Sequence, residues 1–265
     1  MHTEEKTEAL KETFAARGSI LVAFSGGVDS TLLAVLAKEA LGNKTACVLL
    51  DSPVVPRAAV EQACQIAHEL GLELDIISVP LIEQEEFRKN PANRCYYCKK
   101  ISAVYLKQRA EERGLACIAD GINVSDMDEH RPGLAASDEE GIIHPFIESG
   151  ITKQEIRKIA RECGLSVWQK PSAACLSSRI PYGEEITREK LRMIEEAEAY
   201  LAGQGFGQHR VRLHGTIARI EVHKGEMGKI LDMQSAVVKK LRSIGFSYVT
   251  LDLEGYRSGS MDEVL

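Results

Sequence analysis

The sequence predicts an α/β protein: a parallel sheet with helices on both faces, followed by a smaller C-terminal α+β domain. Three observations predict it. Short, continuous apolar runs alternate with helix-length segments, as in sheets buried on both faces. A two-glycine turn, Ser25-Gly26-Gly27-Val28-Asp29-Ser30, joins the first apolar run to a helix. After Pro181-Tyr182-Gly183 the composition shifts, and alternating strands replace the continuous ones.

Residues 1–17 are charged and fit an amphipathic helix with Leu10 and Phe14 apolar. The first strand is Ile20-Leu21-Val22-Ala23-Phe24, and the run 31–37 reads as a buried helix. Residues 45–50 form the second strand, ending at Asp51-Ser52. Pro56 can open a helix that runs through Ala67 and closes at Gly71. Residues 74–79 and 115–119 are the third and fourth strands, the latter ending at Asp120-Gly121-Ile122-Asn123. The stretch from Asp120 to Gly133, through Arg131-Pro132, has no hydrophobic period and reads as a loop, either solvated or in ligand contact. Thr152-Lys153-Gln154-Glu155 has the order of a capping box, so a helix starts there and runs through Ile156, Ile159 and Ala160 to Gly164. The second domain then reads as helix 186–201, strands 211–214 and 218–222, helix 228–244 and strand 248–253. The expected division is 1–183 and 184–265, with 258–265 frayed.

The chain has 265 residues, 44% of them hydrophobic, enough to bury a core. Lys and Arg number 33 against 39 Asp and Glu, a net charge of −6, which argues against nonspecific nucleic-acid binding. No run reaches the roughly 18 apolar residues of a membrane span, and the N-terminus does not read as a signal peptide. Seven cysteines, an odd number, point to reduced thiols and a cytoplasmic setting. No histidine pair has the spacing of metal ligands.

The glycine turn carries the first chemistry. A strand, two residues without Cβ and a helix N-terminus converge backbone N–H groups on one point, which attracts an anion. Ser25 and Ser30 add hydroxyls. Asp29, an acid beside an anion site, implies a metal ion or a hydrogen bond that fixes the loop. No Gly-Lys-Ser/Thr closes the turn, so it is not a Walker loop. The plain alternative is a glycine turn after a buried strand. Asp51, Ser52 and Asn123 fall at strand carboxyl ends, where such sheets bind ligands.

The second centre is Lys170-Pro171-Ser172-Ala173-Ala174-Cys175-Leu176-Ser177-Ser178-Arg179-Ile180, continuing to Gly183. It is irregular, with small residues before Cys175 and a cation, Arg179, nearby that would favour thiolate. Composition alone leaves a buried inert cysteine and a nucleophile both open.

The turn resembles the SGGxDS PP-loop of the ATP pyrophosphatases, adenine nucleotide α-hydrolase-like proteins that cleave ATP to AMP and pyrophosphate. Together with the 123–133 loop, His144-Pro145-Phe146 before Thr152-Lys153, and the Cys175 stretch, it resembles the LarE family over nearly the whole chain. That resemblance implies ATP-dependent sulfur transfer to the carboxylates of a pyridinium mononucleotide, in building the nickel-pincer nucleotide of lactate racemase. It implies ATP and Mg2+ as cofactors, with ATP at Ser25, Gly26, Gly27, Val28, Asp29, Ser30, Asp51, Ser52 and Asn123. Cys175 is the expected nucleophile, attacking an acyl adenylate and ending as dehydroalanine. Some relatives instead hold an iron–sulfur cluster on three cysteines. No cysteine follows Cys175 here, so no cluster is expected.

Substrate contacts are expected at Tyr96, Tyr97, Ser178, Arg179, Arg210 and Arg212. Tyr96 or Tyr97 can stack on a pyridinium ring. Arg210 and Arg212 share one strand face, either simply exposed or, as the resemblance implies, gripping a substrate phosphate. Glu198 and Glu221 are either metal ligands or solvated carboxylates. Cys95-Tyr96-Tyr97-Cys98, between Arg94 and Lys99-Lys100, serves packing, substrate contact or a metal. The resemblance also implies a homo-oligomer. Competing readings are a PP-loop tRNA thiolase, a non-catalytic adenine-nucleotide sensor, and an amide-forming synthetase, which would need a glutaminase.

Overall fold

The computed structural model describes residues 3–127, 132–171, 174–257, 259–261 and 263. The chain divides into two compact units: Met1–Leu81 with Asn93–Ala173, and Ile82–Ala92 with Ala174–Leu265.

In the first unit, α1 (Thr3–Arg17) buries Leu10 and Phe14 and leaves its charged residues outward. β1 (Ile20–Ala23) leads through the glycine turn into α2 (Val28–Leu41), whose Leu32, Leu33, Ala34, Leu36 and Ala37 are all buried. β2 (Thr45–Asp51), α3 (Arg57–Glu69) and β3 (Leu74–Ser78) follow. The chain then leaves this unit for 82–92, which holds the short α4 (Glu85–Arg88). It returns as α5 (Arg94–Glu112) and β4 (Cys117–Ala119). α6 (Pro132–Glu139), α7 (Pro145–Glu148) and α8 (Lys153–Glu162) complete the unit.

The sheet order is β3-β2-β1-β4, with every neighbouring pair parallel. Alternate side chains of β1 and β2 enter separate cores. Ile20, Val22, Cys47 and Leu49 pack with α1, α2 and α8 residues, while Leu21 and Val48 pack with Ala103, Leu106 and Ala110 of α5. Both faces are therefore covered, which is why the strands read as unbroken apolar runs. The capping box at Thr152 forms: its Oγ1 accepts from the Glu155 N–H, and Glu155 Oε2 accepts from the Thr152 N–H at 2.9 Å.

The second unit contains α9 (Arg188–Gly203), β5 (His209–His214), β6 (Ile217–Val222), α10 (Met227–Asp232), α11 (Gln234–Ile244) and β7 (Tyr248–Leu251). β5 is antiparallel to β6 and β6 is parallel to β7.

Three expectations differ from the structure. The single helix 228–244 is two helices, because Met233 leaves helical geometry and caps both. The units part at 173/174 rather than after Gly183, and 82–92 joins the second. The cause is side-chain and backbone bonding: Asn90 Nδ2 donates to the Ile180 and Pro181 carbonyls, the Gly183 N–H to the Asn90 carbonyl, and the Ile186 N–H to the Arg88 carbonyl. Finally, Ser260 and Met261 are buried rather than frayed, since Ser260 bonds to Glu221 and Arg212. Arg131, Ser172, Ala173, Ser258, Asp262, Val264 and Leu265 lie outside the described residues.

Candidate active site

The glycine turn is shaped by backbone and two hydroxyls. Phe24 N–H still donates to Val48 as β1 ends, and Gly27 is the N-cap of α2. The Ser25 and Ser30 hydroxyls lie 3.1 Å apart, and Ser30 Oγ also accepts from the Ser25 N–H. Gly26 has φ +66°, and a Cβ there would sit 2.8 Å from the backbone and side chain of Ala63 on α3. Only glycine fits that position without displacing α3. Gly121, just past β4, is equally confined: a Cβ would lie 2.9 Å from the Ser30 nitrogen. The ends of β1 and β4 and the start of α2 are thus pressed together, with the unpaired N–H groups of the first helical turn at that edge.

Two lysines that the sequence reading did not single out reach this loop. Lys153, the first residue of α8, ion-pairs with both oxygens of Asp29. Lys170 donates to the Gly26 carbonyl at 2.9 Å, and burial lowers its pKa. Lys153 lies in the capping box and Lys170 opens the Cys175 stretch, but local sequence gives neither a role at the loop.

The other strand ends are engaged locally. Asp51 forms a two-pronged ion pair with Arg57, and Ser52 is buried with its carbonyl accepting from Arg57. Asn123 is buried and caps the turn Val124–Asp126, its Oδ1 accepting from the Ser125 N–H and its Nδ2 donating to Asp126. Beside it, buried Asp120 accepts from Lys99 at 3.1 Å and meets His144 Nδ1 at 2.7 Å. Burial opposes the Asp120 charge, but Lys99 and the His144 hydrogen bond outweigh it and hold the carboxyl below its ordinary range. Burial likewise opposes a charged His144, but the hydrogen bond and charge of Asp120, with Asp138, raise its pKa.

In the second unit, Cys175 is half-buried and caps the turn Leu176–Arg179. Its Sγ lies 3.0 Å from the Ser177 hydroxyl. Arg179 is itself paired with an acid, Glu198. Only 3% exposed, it grips both oxygens of Glu198 at 3.0 Å and donates to the Ala174 and Cys175 carbonyls and the Ser178 hydroxyl. Ser178 Oγ donates in turn to the Cys175 carbonyl at 2.8 Å. Arg212, also buried, donates to the Ser178 carbonyl and to Glu221 and Ser260. The turn that presents Cys175 is therefore tied to α9 by Arg179 and to β5 by Arg212.

Arg210 is different. It donates to the His209 carbonyl and lies over the Tyr256 ring, 5.3 Å from its centroid. Among the described residues no carboxylate is within ion-pair distance of it, and burial together with the Arg179 charge lowers its pKa. Such a guanidinium attracts an anion.

Glu198 and Glu221 are committed to arginines. Glu198 holds Arg179 and accepts from the Val211 N–H, and fully buried Glu221 holds Arg212, Arg219 and Ser260. Among the described residues no group of three or more His, Cys, Asp or Glu is arranged to hold a metal ion. Tyr96 and Tyr97 meet edge to face at 5.7 Å on α5, and the Tyr96 hydroxyl donates to Glu139. Cys95 is exposed and Cys98 half-buried, both as thiols in the first turns of α5.

The sequence model of NAD synthase matches residues 3–117, which span the glycine turn and the first three strands. An uncharacterized protein of Synechocystis is 39% identical over 99% of this chain and 98% of its own. The pyridinium-3,5-bisthiocarboxylic acid mononucleotide synthase of Lactiplantibacillus plantarum, a LarE protein, is 36% identical over 93% of this chain and 90% of its own. The chain belongs to the LarE family. Its glycine turn is accordingly a PP-loop, and the LarE similarity extends through the second unit as well as the first. The glutamine-hydrolyzing GMP synthase of Brucella melitensis is 27% identical over 75% of this chain but only 43% of its own. No described helix is long and apolar enough to cross a membrane.

Proposed function

We propose that this protein is an ATP-dependent sulfur transferase acting on the carboxylates of a pyridinium dicarboxylate mononucleotide, with Cys175 as the sulfur donor. The observation that carries the reading is the Cys175 turn: a half-exposed thiol on a short irregular segment that two buried arginines hold rigid. An inert core cysteine needs no such support. The L. plantarum relative, matched across both units, is named for a bisthiocarboxylic acid product, which requires a sulfur source.

In this reading the PP-loop binds ATP through the first-turn N–H groups of α2 and the Ser25 and Ser30 hydroxyls. Asp29 is the one carboxylate of residues 25–30, and its two oxygens could hold Mg2+ alongside the Lys153 ion pair. When bound, Mg2+ would neutralise phosphate charge. A substrate carboxylate attacks the α-phosphorus, giving an acyl adenylate and pyrophosphate. The Cys175 sulfur displaces AMP and loses its proton, giving a thioester. Removal of the Cys175 Cα proton then breaks the Cβ–S bond. The sulfur leaves as a thiocarboxylate, and residue 175 becomes dehydroalanine. Arg210, desolvated and without an acid among the described residues, suits the mononucleotide phosphate.

The test is intact mass with peptide mapping after incubation with ATP, magnesium and the pyridinium dicarboxylate mononucleotide. Loss of the elements of H2S, mapped to Cys175, is expected, with one sulfur transferred per chain. An intact Cys175 beside sulfurated product would overturn the reading. Cys175→Ala should still exchange pyrophosphate with ATP in the presence of substrate, yet transfer no sulfur.

A further inference from the structure

We infer that Lys170 is a phosphate-binding residue of the PP-loop: its ammonium contacts the nucleotide polyphosphate and holds the pyrophosphate that the reaction releases. This inference rests on the nucleotide reading proposed above. The loop's own residues, 25–30, contain no cation, and their single charge, on Asp29, is negative. Backbone N–H groups supply only partial charge. A polyphosphate with several negative charges needs a full positive charge nearby.

Two lysines reach the loop, and their circumstances differ. Lys153 is neutralised by Asp29. Lys170 is half-buried, and among the described residues its only hydrogen-bond acceptor is the Gly26 carbonyl, at 2.9 Å, with no carboxylate in ion-pair range. An ammonium has three donors, so two remain for a ligand. Most other part-buried lysines in this unit pair with acids, as Lys6 does with Glu155, Lys11 with Glu39 and Lys100 with Glu139 and Glu140. Burial disfavours the Lys170 charge, and an incoming anion would relieve that cost. The position is also fixed. The turn Ser166–Gln169 is anchored by buried Val167, and the Lys170 N–H donates to the Val167 carbonyl at 2.9 Å.

A purely structural Lys170, propping the loop through Gly26, makes a different prediction. Glutamine keeps a donor for that carbonyl but removes the charge, so Lys170→Gln separates the two roles. Calorimetric titration of the full chain with inorganic pyrophosphate should show affinity at least tenfold weaker in Lys170→Gln, with Lys170→Arg retaining most of it. Binding by Lys170→Gln within twofold of the unsubstituted protein overturns the inference. A second measurement needs no variant. Amine acetylation of the unsubstituted protein, mapped by peptide mass, should label Lys170 at least fivefold less with saturating pyrophosphate, while exposed Lys44 is labelled equally. Unchanged labelling at Lys170 despite bound pyrophosphate also overturns it. A protein that binds neither pyrophosphate nor ATP fails the nucleotide reading itself.

Discussion

The PP-loop and the Cys175 turn are both short irregular segments at the start of a helical element, yet they are held in opposite ways. The PP-loop is built from neighbours in sequence: a buried strand, two glycines, two serines and a helix N-terminus. Its tight tertiary constraint is steric, the approach of Ala63 and Gly121. The Cys175 turn also bonds within itself, Ser178 and Arg179 both donating to the Cys175 carbonyl, but those bonds do not attach it to the rest of its unit. It is fixed by side chains from distant positions, Glu198 acting through Arg179, and Arg212 from β5. The segment just after it is held by Asn90, which takes φ +54° and is fully buried. A site made of backbone is hard to break except by adding atoms. A site made of buried charge pairs is broken by removing one partner.

Glu198→Ala should have the largest effect on stability. It leaves the buried Arg179 guanidinium without its acid, a change that costs about 3–5 kcal/mol. Urea unfolding monitors the loss, and Glu198→Ala combined with Arg179→Met should recover part of it. If Glu198→Ala is as stable as the parent, the turn is not held by this pair.

Gly26→Ala tests the other side of the comparison. A left-handed φ costs roughly 1–2 kcal/mol for a residue with Cβ, and the contact with Ala63 adds overpacking. ATP binding should weaken by about 100-fold, near 2.7 kcal/mol. Gly27, with φ −81° and a nearest neighbour at 3.4 Å, should tolerate alanine with little change in stability. Equal losses in the two variants would show that sterics at Ala63 do not shape the loop.

Thr152→Ala removes the α8 cap beside Lys153. The expected cost is about 1 kcal/mol, read as a fall in Tm. Because Lys153 must reach Asp29, ATP affinity should shift as well. A Tm unchanged to within error would mean the cap contributes nothing.

The smallest effect is pH-dependent. The folded Asp120 pKa is depressed, so its contribution is present above about pH 4 and lost as pH falls through the folded value. The folded His144 pKa is raised, so its contribution is full below about pH 6.5 and lost as pH rises through the folded value. The stability difference between the parent and His144→Gln should therefore peak between those limits and shrink toward about pH 8. A difference constant with pH would show that His144 acts only as a neutral hydrogen-bonding group.

Local signals were enough for most of the architecture. The four strands are legible because the sheet is covered on both faces, so most of their residues are apolar, the exceptions being Thr45, Asp51, Asp75 and Ser78. The capping box at Thr152 is legible because its four residues satisfy one another. The PP-loop is legible for the same reason, since its serine hydrogen bonds lie within six residues. The break at Met233 was not, because helix 228–244 keeps its periodicity across it.

What the sequence by itself determined, then, is the sheet, the anion-binding loop and the presence of a cysteine in an irregular stretch. Only the tertiary structure decided what the charged residues do. It made Arg179 a clamp on Glu198, joined Glu221 to Arg212 and Arg219, left Arg210 without an acid among the described residues, and brought Lys153 and Lys170 to the loop. A charged side chain takes its role from whichever opposite charge or carbonyl lies within a few ångströms after folding. Partners 19, 124 and 144 residues away along the chain leave no trace in local sequence.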